Sequence, residues 1–134
     1  MKLDKTWQVP FAVADFYNAW ISPDSVIPPA TRLEISATNG GHYRLIIDSP
    51  DFAARAEGLF SRVEANHRLT YSWQWNGTGS VTEIDVTFSP SAEGTRIRLI
   101  HSGFDDADSR GQHDRGWDSY ISGLSTHLAR LAST

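Results

Sequence analysis

The chain changes its side-chain repeat once, and that change dictates what it can fold into. From Thr31 to Ser102, apolar and polar residues alternate in short runs broken by turn residues. Beyond that, Trp117, Tyr120, Ile121, Leu124, Leu128 and Leu131 recur at the spacing of a helix face. Alternation with period two leaves each strand apolar on one face only, so a sheet built from such strands must bury that face against a second layer. The terminal helix, predicted from Asp108 to Ala132, carries the largest apolar stripe available and is long enough to cross a small sheet. An α+β fold follows: a curved antiparallel sheet of six to seven strands wrapped around one long C-terminal helix, with a polar outer face in solvent.

The first third supplies one strand and one helix. Leu3, Lys5, Trp7 and Val9 share a face over Lys2–Val9, which predicts a strand. Pro10 ends it, and Phe16, Tyr17, Trp20 and Ile21 form an apolar stripe on a helix spanning Phe11–Ile21, which Ser22-Pro23-Asp24 stops. Pro28-Pro29 forbids another regular element nearby and leaves Val26 and Ile27 over the interior. Further strands are predicted at Arg32–Ala37, Tyr43–Ile47, Phe52–Val63, Arg68–Trp75, Val81–Phe88 and Thr95–Ser102, with turns such as Asn39-Gly40-Gly41 and Asn76-Gly77-Thr78-Gly79 between them. Within Phe52–Val63 the phase conflicts. Ala54, Ala56 and Phe60 share one parity and Leu59 and Val63 the other, so a bulge is expected at Gly58. Residues 1–134 contain no repeat, linker or low-complexity tract and read as one domain.

Composition removes several functional classes. The chain has no cysteine, which excludes disulfides, thiolate nucleophiles and Cys-based metal sites. Twelve basic against 16 acidic side chains give a net charge of −4, the wrong sign for a general nucleic-acid or acidic-membrane binder. No apolar run approaches a membrane span, and the first residues lack the apolar core of a signal peptide, so a cytoplasmic protein is expected. Open sheet margins make a monomer or a weak homodimer the expected state.

Four segments, in order and on the expected elements, carry a resemblance: Arg68-Leu69-Thr70-Tyr71-Ser72-Trp73, Gly94-Thr95-Arg96-Ile97-Arg98-Leu99, His101-Ser102-Gly103-Phe104 and Gly116-Trp117. Over essentially its whole length the chain resembles the SRPBCC (START-like) superfamily, and within it the branch related to the activator of the heat-shock chaperone ATPase. The resemblance implies a helix-grip fold with a cavity between sheet and terminal helix. Members bind lipids, polyketides, hormones or other apolar ligands, a few are cyclases or hydrolases, and some regulate a chaperone.

Candidate site residues follow from where the rings should meet. Trp20, Tyr71, Trp73, Trp117 and Tyr120 should converge on one side of the sheet, either filling the core or lining a pocket with polar-tipped rings. Gly116 and Gly123, seven apart on the terminal helix, each cost roughly 1 kcal/mol relative to Ala and suggest that something approaches the helix backbone closely. With Val26, Phe60, His101 and His113 these rings make up the expected lining, and His101 and Tyr71 are its expected polar anchors. Entry is expected at Pro28-Pro29 and along Phe104–Ser109. The two histidines are candidate general bases if the site is an enzyme, and satisfied structural histidines if it is not. His42, His67, His101, His113 and His127 show no metal-ligand spacing, Asp106 and Asp108 read as favouring a helix N-terminus, and no cofactor is implied. Three functions remain in view: a carrier of a small apolar or aromatic ligand, a chaperone-interacting or stress-response module, and a cyclase or dehydratase using a pocket histidine.

Overall fold

A computed structural model describes residues 1–132. Its elements run β1 (Lys2–Val9), α1 (Val13–Ile21), β2 (Arg32–Ile35), β3 (His42–Asp48), β4 (Ala53–Glu64), β5 (Arg68–Trp75), β6 (Thr82–Ser91), β7 (Gly94–Ser102) and α2 (Ala107–Ala132). The seven strands form one antiparallel sheet in the order β1-β7-β6-β5-β4-β3-β2. Every neighbour after β2 is a sequential hairpin partner. α1 and the segment behind it carry the chain from the β1 edge to the β2 edge, and the meander returns until β7 pairs with β1. This is the helix-grip arrangement, a curved sheet closed on a long helix.

Alternation decides which side chains face α2. On β5, Leu69, Tyr71 and Trp73 are buried, and on β7 Thr95, Ile97, Leu99 and His101 are buried while Arg96 and Arg98 are exposed. From α2, Trp117, Ile121 and Leu124 enter the core, and truncating a buried leucine such as Leu124 costs about 2–5 kcal/mol. Asp106 accepts a hydrogen bond from the Ser109 backbone N–H at 2.8 Å, capping α2 where the acidic residues predicted a helix start. The inner face of β1 ties α2 down by polar contacts: Lys5 bonds Asp114 and pairs with Asp118 at 2.9 Å, and Trp7 Nε1 donates to Asp118 at 3.1 Å. On the outer face, charges pair across strands: Arg44 with Glu34 and Glu57, Arg68 with Asp85, Arg98 with Asp4.

Four expectations need correction. The β4 bulge lies between Phe60 and Arg62, not at Gly58. It moves Val63 to the inner side and leaves Leu59 outside, 59% exposed. Gly58 serves another purpose, because a Cβ there would lie 1.7 Å from the Ser72 carbonyl oxygen of β5. β2 stops at Ile35, as Ser36 turns into the loop through its N–H bond to the His42 carbonyl. At the far end of α2, Leu131 continues the helical period but is 57% exposed. In the segment after α1, Ile27 is the buried residue, and Val26 is only partly covered.

Candidate functional site

A cavity of about 620 Å³ lies between strands β3–β5 and the first half of α2. Tyr43 and Ile47 of β3, Ala54 of β4 and Trp73 and Trp75 of β5 form the sheet side. His113, Gly116, Trp117 and Tyr120 form the helix side, and Ile27 closes one flank. Exposed residues, among them Pro28, Pro29, Phe52, Asn76, Gln112 and Ser119, make the rim. The size and the apolar, ring-rich walls match a small-molecule site.

Rings hold the space open. Trp117 stacks on Trp20 of α1 with centroids 5.8 Å apart, and Tyr120 meets the same indole edge-on at 5.0 Å. Trp20 in turn donates to the Tyr71 hydroxyl at 3.2 Å, and Tyr71 stacks on Tyr43 at 5.0 Å. The middle of α2 is therefore locked against α1 and the sheet. Near its start, Trp75 Nε1 donates to His113 Nε2 at 3.1 Å, a strut from sheet to helix. A smaller space of about 220 Å³ adjoins this strut, sharing Trp73, Trp75, Ser109 and His113 with the larger one.

Both candidate histidines are held in one neutral tautomer. His113 Nδ1 lies 2.8 Å from the Ser109 carbonyl, which only accepts, so Nδ1 carries the proton and Nε2 takes the indole bond from Trp75. His101 accepts at Nδ1 from Trp117 Nε1 at 3.1 Å. Its Nε2 is then the protonated nitrogen and donates to Thr82 Oγ1 at 2.7 Å, and the Thr82 hydroxyl donates in turn to the Trp73 carbonyl at 3.1 Å. Burial, with His113 beside it, lowers the His101 pKa to about 3. The two imidazoles meet edge to face at 5.0 Å, and Phe104 covers both.

The expected lining separates into two layers. Trp73, His113, Trp117 and Tyr120 border the cavity. Trp20, Phe60, Tyr71 and His101 stand behind it as core, each at most 2% exposed: Trp20 of α1 covers Tyr71, while Phe104, His113 and Trp117 cover His101. Tyr71 therefore anchors Trp20, and His101 anchors Trp117 and Thr82. Val26 does not border the cavity and its neighbour Ile27 does. Of the two expected entry segments, Pro28-Pro29 lies on the rim, while Phe104 is buried and only Ser109 reaches the lining.

Sequence reasoning left out Tyr43, Ile47, Trp75 and Phe52. The first two share the inward parity of β3, and Trp75 shares that of β5, so the signal was present. Phe52, 60% exposed in a turn, had none. Glu57 and Arg62 lie on the outer side: Glu57 is bound by Arg44, which holds its carboxyl below the usual range, and Arg62 faces Glu64 at 3.8 Å.

Burial raises the Tyr43 pKa to about 12, and burial beside Tyr43 and Tyr71 holds the Tyr120 phenol well above its ordinary value. The Tyr43 and Tyr120 hydroxyls are neighbours whose geometry falls short of a hydrogen bond. Tyr120 Oη and Trp73 Nε1 are both buried without a partner.

Comparison with known proteins places this geometry in a family. Residues 10–129 match the family model described as Activator of Hsp90 ATPase homolog 1-like protein. No curated protein matches the chain. A Chromobacterium violaceum protein of known structure superposes with a TM-score of 0.83 at 16% identity, covering 95% of this chain and 96% of its own. An AHSA1-like protein from Aeromonas hydrophila gives 0.80 at 20% identity over 98% and 94%. DynU16, a protein of the dynemicin biosynthetic locus, gives 0.80 at 22% identity over 96% of this chain and 47% of its own. At such identities these similarities establish the fold alone.

Proposed function

Since the chain belongs to the Activator of Hsp90 ATPase homolog 1-like family, we propose that this member holds a small apolar or aromatic guest between its sheet and α2. The observation that carries this reading is the 620 Å³ cavity walled by Tyr43, Trp73, Trp75 and Trp117. Gly116 supports it. Glycine inside a helix costs about 1 kcal/mol relative to alanine, yet no atom lies within 4 Å of where a Gly116 Cβ would stand. No side chain packs against that position, which leaves room for a guest beside the helix backbone. The unpartnered Trp73 Nε1 and Tyr120 Oη, on two lining side chains, are polar groups that a guest or a small side-chain movement can satisfy.

The other functions find less support. A cyclase or dehydratase needs an imidazole nitrogen free to move a proton, and all four nitrogens of His101 and His113 are engaged. A chaperone-contact role would use the outer sheet face, where Arg44, Arg68 and Arg98 are already bound by the protein's own carboxylates. It also leaves the cavity without a purpose. No helix among the described residues is long and apolar enough to cross a membrane.

The test is tryptophan fluorescence titrated with fatty acids, flavonoids and sterols, because Trp73, Trp75 and Trp117 border the guest space. A saturable change with at least one compound is expected. No saturable change with any of them, together with recovery of a stoichiometric chaperone from native lysate, would replace this reading by the contact-surface one.

A further inference from the structure

We infer that the cavity selects uncharged guests over those carrying a carboxylate or sulfonate group, an inference that rests on the guest-carrier reading above. The lining is free of formal charge. Among the described residues that border the cavity, none is Asp, Glu, Lys or Arg. The only imidazole there, His113, is fixed as the neutral Nδ1–H tautomer by an indole donor on one nitrogen and a carbonyl acceptor on the other. The buried phenols of Tyr43 and Tyr120 are held in their neutral form by desolvation.

The charged residues that neighbour lining positions in sequence do not reach in. Arg110 and Arg115 lie on α2 beside Ser109 and Gly116 but outside the lining stripe, and both are exposed. Arg55, next to Ala54, points to the outer face and pairs there with Glu57 at 3.2 Å. Asp51, beside Phe52 at the rim, is exposed and acidic, so it adds repulsion for an anion rather than a partner. An anionic group that leaves water for such walls loses its hydration and finds no cation. Neutral carbonyl, ether or hydroxyl groups can instead use Asn76, Gln112, Ser109 or Ser119 at no such cost.

A matched pair of dyes tests this on the intact protein: N-phenyl-1-naphthylamine, which is uncharged at neutral pH, and 1-anilinonaphthalene-8-sulfonate, which has the same rings and one negative charge. Both are titrated while tryptophan emission is followed. The neutral dye is expected to bind at least tenfold more tightly. Introducing a cation at an exposed rim position, Ser119→Arg, is expected to narrow that ratio by strengthening sulfonate binding. Equal or tighter sulfonate binding to the unaltered protein overturns the inference and leaves the carrier reading standing. An unchanged ratio in Ser119→Arg contradicts the absence of a cation as its cause. Failure of both dyes to bind overturns the carrier reading and this inference with it.

Discussion

Gly116 offers a substitution whose effects on stability and on binding should move in opposite directions. It sits inside α2 on the cavity wall, and a Cβ built there meets nothing within 4 Å. Gly116→Ala therefore removes the backbone-entropy penalty of glycine without a clash and should stabilise the fold by about 1 kcal/mol. For a chain of this length that corresponds to a rise of roughly 3–5 °C in Tm. Gly116→Trp keeps part of the helix-propensity gain but projects an indole into the guest space, so Tm should not fall while the affinity for N-phenyl-1-naphthylamine drops at least tenfold. Calorimetry and a fluorescence titration on the same three proteins give both numbers. If Gly116→Ala lowers Tm, that face of α2 is packed rather than open. If Gly116→Trp binds the dye as the parent does, the dye sits elsewhere and the carrier reading loses its site.

Gly123→Ala should forfeit the gain of Gly116→Ala, because its Cβ would stand 2.3 Å from the Ile27 Cγ2 methyl; overpacking of about 1–3 kcal/mol cancels or exceeds the helix gain of about 1 kcal/mol, read as a urea midpoint no higher than the parent's. Thr82→Val removes the acceptor of the His101 Nε2–H and the donor to the Trp73 carbonyl, so two buried groups lose their partners and about 2–4 kcal/mol should be lost; a loss under 0.5 kcal/mol would show that the chain is not held by these bonds. The His101 pKa of about 3 lies below the roughly 6.5 of an unfolded histidine, so unfolding takes up a proton between those values. Stability from this group is complete above pH 6.5 and declines as pH falls toward 3, by about 2 kcal/mol at pH 5. His101→Asn should flatten that slope, and an identical slope in the variant would assign it to other groups. Phe52→Ser, at a rim ring that is 60% exposed, should weaken guest binding several-fold with Tm unchanged within about 2 °C.

Much of the fold could be read from the chain because its signals are local. Period two on Arg68–Trp75 places Leu69, Tyr71 and Trp73 inward, and the helical spacing from Trp117 to Leu124 marks the buried stripe of α2. Even the meeting of Tyr71, Trp73, Trp117 and Tyr120 follows from those two periods once sheet and helix must cover each other. Depth does not follow. Tyr71 and Trp73 share one face of one strand, yet Tyr71 is sealed under Trp20 and Phe60 while Trp73 reaches the cavity. The difference arises from where α1 lands on the sheet, a tertiary fact with no periodic trace. The bulge near Ser61 was equally hidden, since a bulge needs no glycine and the glycine nearby answers to Ser72 across the strand pair. His101 was legible as inward-facing, but its role as acceptor for Trp117 depends on the rotation of α2 about its own axis.

The indole N–H resonances of the five tryptophans provide the most direct measurement of whether a guest enters between sheet and helix. In a ¹H–¹⁵N correlation spectrum of the intact protein titrated with N-phenyl-1-naphthylamine, Trp73, Trp75 and Trp117 border the cavity and should shift saturably. The Trp7 indole, bonded to Asp118 away from the cavity lining, should hold its position. Saturable shifts confined to Trp7, or no shift at any indole while the dye binds, would contradict a guest site beneath α2.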